Sequence, residues 1–297
     1  MSLADEEIFD GSQTVDVFLE TDVEATVEEF IGYVSAADRL IAQGVGISPS
    51  LLAHGPPGCG KTELGRHVAA RLGLPLLTAR TDSLISSYLG STAKNLRMLF
   101  EHAMSRPCVL FLDEFDAVAK LRDDKHELGE LKRVVVSLLQ NIDALDSQTV
   151  LLAATNHEHL LDPAIWRRFA YRVRIERPGL GVREKLLQKF LGSFSDEKEL
   201  AVFAAASEGL TGAEIRQVAE DAKRSAILAG NNVVDDGDVL RRVVRLRAPD
   251  QVASGVELAQ SLRALRELDE KVFTYRRLAE MFTVSVGHVS NLLKRAE

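Results

Sequence analysis

The run Gly55-Pro56-Pro57-Gly58-Cys59-Gly60-Lys61-Thr62 has the residue types and the spacing to hold phosphate. It fits G-x-x-x-x-G-K-[ST], a loop in which backbone N–H groups cradle an anion. The glycines let the chain curl until successive N–H groups converge. A helix starting near Lys61 would add the positive end of its dipole. Lys61 supplies a mobile cation for β- and γ-phosphates, and the Thr62 hydroxyl is a hard oxygen ligand for Mg²⁺. The cradle is taken as residues 55–63, which includes Glu63.

A second run, Pro107-Cys108-Val109-Leu110-Phe111-Leu112-Asp113-Glu114, ends an apolar stretch on two carboxylates. It reads as a central parallel strand with its acidic end at the crevice of an open sheet, a Walker B pattern. Asp113 is placed to hold Mg²⁺, directly or through its waters, and Glu114 to orient and polarise the water attacking the γ-phosphate. Thr149-Val150-Leu151-Leu152-Ala153-Ala154-Thr155-Asn156 is another buried strand with a polar end. Asn156 would lie beside Glu114, where its amide can hold the water or sense the phosphate. Near the end of a short helix, Arg167 and Arg168 fit either a solvated surface or an arginine finger. A finger stabilises transition-state charge in a neighbouring subunit and is worth about 10³–10⁵ in rate.

These groups need a scaffold, and the sequence supplies one. Ser50–His54 reads as a buried strand, and Leu64, Val68 and Leu72 give the segment after the loop helical spacing. Val27, Phe30, Ile31, Val34 and Leu40 predict a helix over about 26–42. Leu74–Ala79 suits a short buried strand, and helices are expected near 92–104 and 131–145. Between them, 120–130 is charged and expected to be an exposed loop, and Tyr171–Ile175 alternates like a last strand. The fold class is therefore α/β, a P-loop parallel sheet flanked by helices over 26–177. Pro178-Gly179 marks a boundary, after which the pattern to about 248 is helical, a small lid domain. Within it, Thr211-Gly212-Ala213-Glu214 has capping-box spacing.

Residues 254–297 differ in style. Ala279, Val284, Val289 and Leu292 have helix-turn-helix spacing, with Ser285 capping a recognition-like helix that carries His288, Asn291, Lys294 and Arg295. From Lys271 onward five cations face two carboxylates, a mildly basic patch that suits a DNA reader or a packing module. At the other end, 1–25 is acidic without Lys or Arg and is expected to be a solvated arm, the alternative being a docking segment.

Composition bounds the rest. The net charge of −8 argues against the chain as a whole binding a polyanion. Its two cysteines, Cys59 and Cys108, form no metal-spacing pair or disulfide framework, which points to a reducing, cytoplasmic compartment. No apolar run approaches the roughly 18 residues of a membrane span.

Residues of about 26–248 resemble the AAA+ ATPases, and among them the AAA proteins in the narrower sense. The resemblance rests on the phosphate loop, on Leu112-Asp113-Glu114-Phe115-Asp116, and on Ala153-Ala154-Thr155-Asn156 with Asp162-Pro163 and Arg167-Arg168-Phe169. The Arg-Arg-Phe ending is most similar to the katanin and spastin branch, and the layout to small bacterial AAA proteins. The family implies hexameric rings with ATP and Mg²⁺ at subunit interfaces, Asn156 as sensor 1, and Arg167 and Arg168 acting in trans. It also puts Gly212-Ala213 near the adenine and Tyr88-Leu89 on a pore loop gripping an extended polypeptide, whereas burial statistics alone make Tyr88 a packing residue. Cys59 replaces the family's usual Thr, at a position where only the backbone need face phosphate. Recruitment is expected to fall to the acidic arm, the C-terminal module or a partner, and small bacterial members suggest a separate protease or adaptor. The leading expectation is a ring-forming protein remodeller or unfoldase; the second is a DNA-associated loader or regulator using the C-terminal module.

Overall fold

The computed structural model describes residues 3–9, 14–79, 84, 89–119, 128–247 and 258–294. Five strands, β2 (Ser50–His54), β3 (Leu76–Ala79), β4 (Cys108–Leu112), β5 (Thr149–Thr155) and β6 (Tyr171–Arg174), run parallel, and β1 (Ala4–Glu7) joins them antiparallel. The spatial order is β1-β3-β4-β5-β2-β6. β2 sits between β5 and β6, so the chain leaves the middle of the sheet into the phosphate loop.

Side-chain alternation along each strand feeds two helical layers. Leu51, Ala53, Val109, Phe111, Val150 and Leu152 face α1 (Thr21–Ser35) and α3 (Lys61–Leu72), meeting Val27, Phe30, Leu64 and Val68. Leu52, Leu110, Leu112, Leu151 and Ala153 face α4 (Leu89–Ala103) and α6 (Leu128–Asp143), meeting Leu96, Leu99, Phe100, Val134 and Leu138. Both faces are covered, which is why the parallel strands read as unbroken apolar runs. The expected helix over 26–42 divides into α1 and a short α2 (Ala37–Ala42), with a break at Ala36.

The N-terminal segment departs from the expected solvated arm. β1 pairs residue for residue with β3, from Ala4 opposite Ala79 to Glu7 opposite Leu76. Glu7 takes a bidentate contact from Arg66 (2.6 Å and 3.0 Å), Glu6 pairs with Arg106, and Phe9 is buried. Two of the carboxylates that made the arm look solvated, Glu6 and Glu7, are answered by arginines far away in the chain, a pairing that local composition cannot register.

Contacts divide the chain into 1–176 and 177–297. The second unit holds α8 (Leu180–Leu191), α9 (Glu197–Ala206), α10 (Gly212–Leu228), α11 (Asp236–Arg247), α12 (Leu258–Leu268), α13 (Tyr275–Met281) and α14 (Val286–Lys294). Asp196 and Thr211 each form a complete capping box, with Glu199 and Glu214, at the starts of α9 and α10. Leu262, Leu265, Leu278 and Val289 from the last three helices, with Phe273 from the turn between α12 and α13, share one core with Leu187, Phe203, Ile215 and Val243. The C-terminal helices thus share the core of the second unit. Among the described residues no helix is long and apolar enough to cross a membrane.

Candidate nucleotide site

The C-terminal ends of β4, β5 and β2 lie side by side, with Leu112 opposite Ala153 and Thr155 opposite His54. The next residues in the chain are Asp113-Glu114, Asn156 and Gly55. Parallel register alone therefore gathers three separate sequence motifs at one edge, where open α/β sheets bind ligands.

The loop after β2 is shaped by glycine. Gly55 has φ 141, and a Cβ there would run into the backbone oxygen of Ile175, so both conformation and space exclude a side chain. Gly58 (φ 74) and Gly60 (φ 95) also take the left-handed region, curling the backbone before α3 starts at Lys61. Lys61 is 7% exposed, and its Nζ donates to the carbonyls of Gly55 (2.8 Å) and Pro56 (2.7 Å). Burial pulls its pKa below the ordinary lysine value, opposed by the nearby Cys59, Asp113 and Asp116. Pro57 and Gly58 are exposed at the tip, Cys59 is half-buried, and Glu63 approaches Arg66 at 3.5 Å.

Thr62 Oγ1 donates to Asp113 Oδ2 at 2.8 Å. Two hard oxygens from separate motifs thus meet beside the loop, a donor set that fits a divalent cation completed by phosphate oxygens and water. Glu114 is exposed at the strand end with φ 48, a left-handed backbone rarely taken by a residue with a side chain. Its neighbours fix this turn: Phe115 N–H donates to Ala154 O (2.8 Å), and Glu114 N–H donates to Asp113 Oδ1 (2.9 Å). The Oδ1 of Asn156 is buried with no hydrogen-bond partner among the described residues. Such an orphan is costly unless a donor satisfies it, which fits the O–H of a bound water.

Asp116, which opens the short α5 (Asp116–Ala119), carries no role in the sequence reading beyond its place in the Walker B run, yet it secures Asn156. It is 8% exposed and accepts from Thr155 Oγ1 (2.9 Å) and, at 3.4 Å, from Asn156 N–H. A carboxylate so deeply buried needs such donors. His54, the last residue of β2, pairs with Glu158 and stacks edge-on against Trp166 with ring centroids 5.2 Å apart.

The arginine pair lies elsewhere. α7 (Pro163–Trp166) leads to Arg167 and Arg168. Ser50 Oγ, at the first residue of β2, donates to Arg168 O (3.0 Å) and accepts from Ala170 N–H (3.0 Å). Both arginines border a cavity of about 430 Å³ with Ser48, Asp143, Asp146 and Thr149, at the ends of β2 and β5 away from the phosphate loop. Arg168 is clamped by Asp143 (3.0 Å and 3.1 Å) and by Ala164 O (3.1 Å). Arg167 is exposed. The sequence treats the two as equals; the structure does not.

Gly212 and Ala213 open α10 in the second unit, behind the Thr211 cap. Leu89 opens α4, and Tyr88 lies outside the described residues. Among the described residues no group of three or more His, Cys, Asp or Glu side chains could hold a metal ion.

Fold and site together define a P-loop nucleotide hydrolase with a Walker B acid and a polar residue on the strand between the two motifs. Residues 51–177 match the ATPase family associated with various cellular activities (AAA). The chain is 42% identical over 220 residues to the uncharacterized AAA family ATPase y4kL of Sinorhizobium fredii, covering 73% of this chain and 67% of that one. It is 34% identical to the ATP-dependent zinc metalloprotease FtsH of Thermobaculum terrenum, over 71% of this chain and 34% of the relative. FtsH 4 of Synechocystis is 30% identical over 88% and 42%. The chain thus spans well under half the length of these two metalloproteases. It belongs to the AAA family and is an ATPase.

Proposed function

We propose that this ATPase works as a ring of identical subunits, a hexamer by family resemblance, that remodels or unfolds polypeptides. The observation that carries the ring is the separation of Arg167 and Arg168 from their own phosphate loop. Arg168 is bonded at the start of β2 and the loop leaves its end, a strand length of about 13 Å at roughly 3.3 Å per residue. Arginines so placed serve the γ-phosphate of another copy.

Within one site the roles divide as follows. The N–H groups of residues 55–62 hold the phosphates, and Lys61 exchanges its two loop carbonyls for β- and γ-oxygens. Thr62 and Asp113 would hold Mg²⁺, which neutralises charge developing on the phosphates. Glu114 polarises the attacking water, and the unpartnered Oδ1 of Asn156 holds it in line. Gly212 and Ala213 would border the adenine. The polypeptide substrate is supported by the protease relatives and by the pore-loop resemblance at Tyr88 and Leu89. A separate protease or adaptor would then receive or supply that polypeptide. Cys59 and Cys108 are thiols rather than a disulfide, which supports a cytoplasmic setting.

The test is particle mass by light scattering for Glu114→Gln with ATP and Mg²⁺. The expected result is a shift to about six subunits, with turnover lowered by about 10²–10⁴. A monomer or dimer under all conditions would sink the ring. Tyr88→Ala should keep the ATPase and lose unfolding of a tagged protein; unchanged unfolding would remove the pore role.

A further inference from the structure

The outward face of α14 asks for a partner of its own. α13 is capped by Thr274, whose Oγ1 accepts from Arg277 N–H at 3.2 Å. The chain then turns through Phe282–Ser285, with Thr283 in the left-handed region at φ 54 and Val284 N–H donating to Ala279 O (2.9 Å). Ser285 caps α14 by accepting from His288 N–H at 3.1 Å. This is a helix-turn-helix, in which a short turn sets the second helix across the first. Its register is fixed from inside, because Leu278, Ala279, Met281, Phe282 and Val289 are buried in the core of the second unit.

What remains outward on α14 is His288, Asn291 and Lys294, one row at helical spacing, with Val286 and Gly287 at its start. The row offers hydrogen-bond donors and acceptors and one cation, and its single large apolar group is Val286, 47% exposed. Peptide-binding faces are anchored by buried aromatic or large aliphatic groups, which this face lacks. Charge points the same way. Across 271–294, Lys271, Arg276, Arg277 and Lys294 oppose a single carboxylate, Glu280, in a chain of net charge −8. Glu280 is taken up by Arg276 at 3.2 Å.

We propose that α14 is a recognition helix that enters the major groove of duplex DNA and anchors the ATPase there. Asn291 matches adenine, whose N6 and N7 it can engage bidentately, and the Val286 side chain suits a thymine methyl. Lys294 ends the row, and Lys271 and Arg277 precede it in the same module, cations that would meet phosphates and fix the helix's register. The inference is independent of polypeptide remodelling, and its success or failure leaves that reading untouched.

The test uses the full chain and a pool of DNA duplexes randomised over a central segment. Selection should enrich one sequence, and affinity for it should fall about 100-fold between about 50 mM and 200 mM salt, as three or four phosphate contacts require. Asn291→Ala should lower binding to the enriched sequence about tenfold and flatten the preference. Lys294→Glu should weaken every duplex alike. Both positions are exposed and remote from the core, so ATPase activity and thermal unfolding stay at wild-type values. No retention of duplex at the lower salt, or binding indifferent to both substitutions, overturns the proposal. So does a preference for single-stranded RNA, or a change in particle mass without loss of DNA, which would make the face a contact between copies.

Discussion

Arg167 and Arg168 are neighbours with different circumstances, and the difference is testable. Arg168 is bound to its own subunit by Asp143 and Ala164, and its guanidinium pKa is raised by the Asp143 hydrogen bond. Arg167 is exposed, and in the proposed ring it would reach a second copy. Arg167→Ala should therefore lower kcat by up to about 10³–10⁵ with no change in melting temperature. Arg168→Ala should lower both, since it also releases Asp143. Equal loss of activity without any melting shift for Arg168→Ala would remove the distinction. The two cysteines separate in the same manner. Burial pushes the Cys108 thiol up to about 11, which leaves it protonated and inert at neutral pH. Cys59 is half-buried within the phosphate loop. Maleimide at pH 7 should modify one thiol per chain, and ATP should protect it. A second label would contradict the burial of Cys108, and no protection the placement of Cys59. The motifs themselves were legible because their chemistry needs fixed residue types at fixed spacing. Asp116 and the His54–Glu158 pair were not, because their partners arrive through strand register.

At the scale of elements, β1 is the strand that composition concealed. It covers the edge of β3, the strand that runs toward the segment carrying Tyr88, and the chain beyond it plants Phe9 in the core. Phe9→Ala should cost about 3 kcal/mol, the low end for a buried aromatic, and lower the melting temperature of the first unit. A loss below about 0.5 kcal/mol, the range of a surface change, would mean that the N-terminal segment is not docked in solution. The helices were easier to read. Leu64, Val68 and Leu72 keep helical period, and Thr211 with Glu214 announces a start that the structure completes with both reciprocal bonds. Helical period and caps are local properties. An edge strand of four residues has neither, and its Glu7 and Glu6 are satisfied by Arg66 and Arg106, on α3 and after α4. For the C-terminal helices the local spacing was visible, but not that Leu262 and Phe273 are buried with the other helices of the second unit.

At the scale of the molecule, both units pair carboxylates with arginine, but one carboxylate in the second is held among other acids. In the first unit carboxylates pair with arginine, as Glu7 does with Arg66 and Glu28 with Arg71, which holds the Glu28 pKa below its ordinary value. In the second unit Asp236, at the start of α11, is pushed up to about 6, first by burial and then by the charges of Glu199, Asp235 and Asp196. A raised carboxyl pKa means that the folded unit binds a proton more tightly than the unfolded chain. Asp236 therefore weakens the fold progressively as pH rises from about 4 to about 6, and the penalty is constant above that window. Asp236→Asn removes the charge and keeps the shape. Allowing for solvent screening of a half-exposed group, it should stabilise the second unit by about 1 kcal/mol at pH 7.5, or about 2–4 °C. At pH 3.5 the difference should vanish, because wild-type Asp236 is then protonated in both states. Thermal melts followed by circular dichroism at the two pH values decide it. An equal gain at both would assign the effect to helix propensity rather than to charge. No gain at pH 7.5 would mean that the positive end of the α11 dipole already offsets the burial of Asp236.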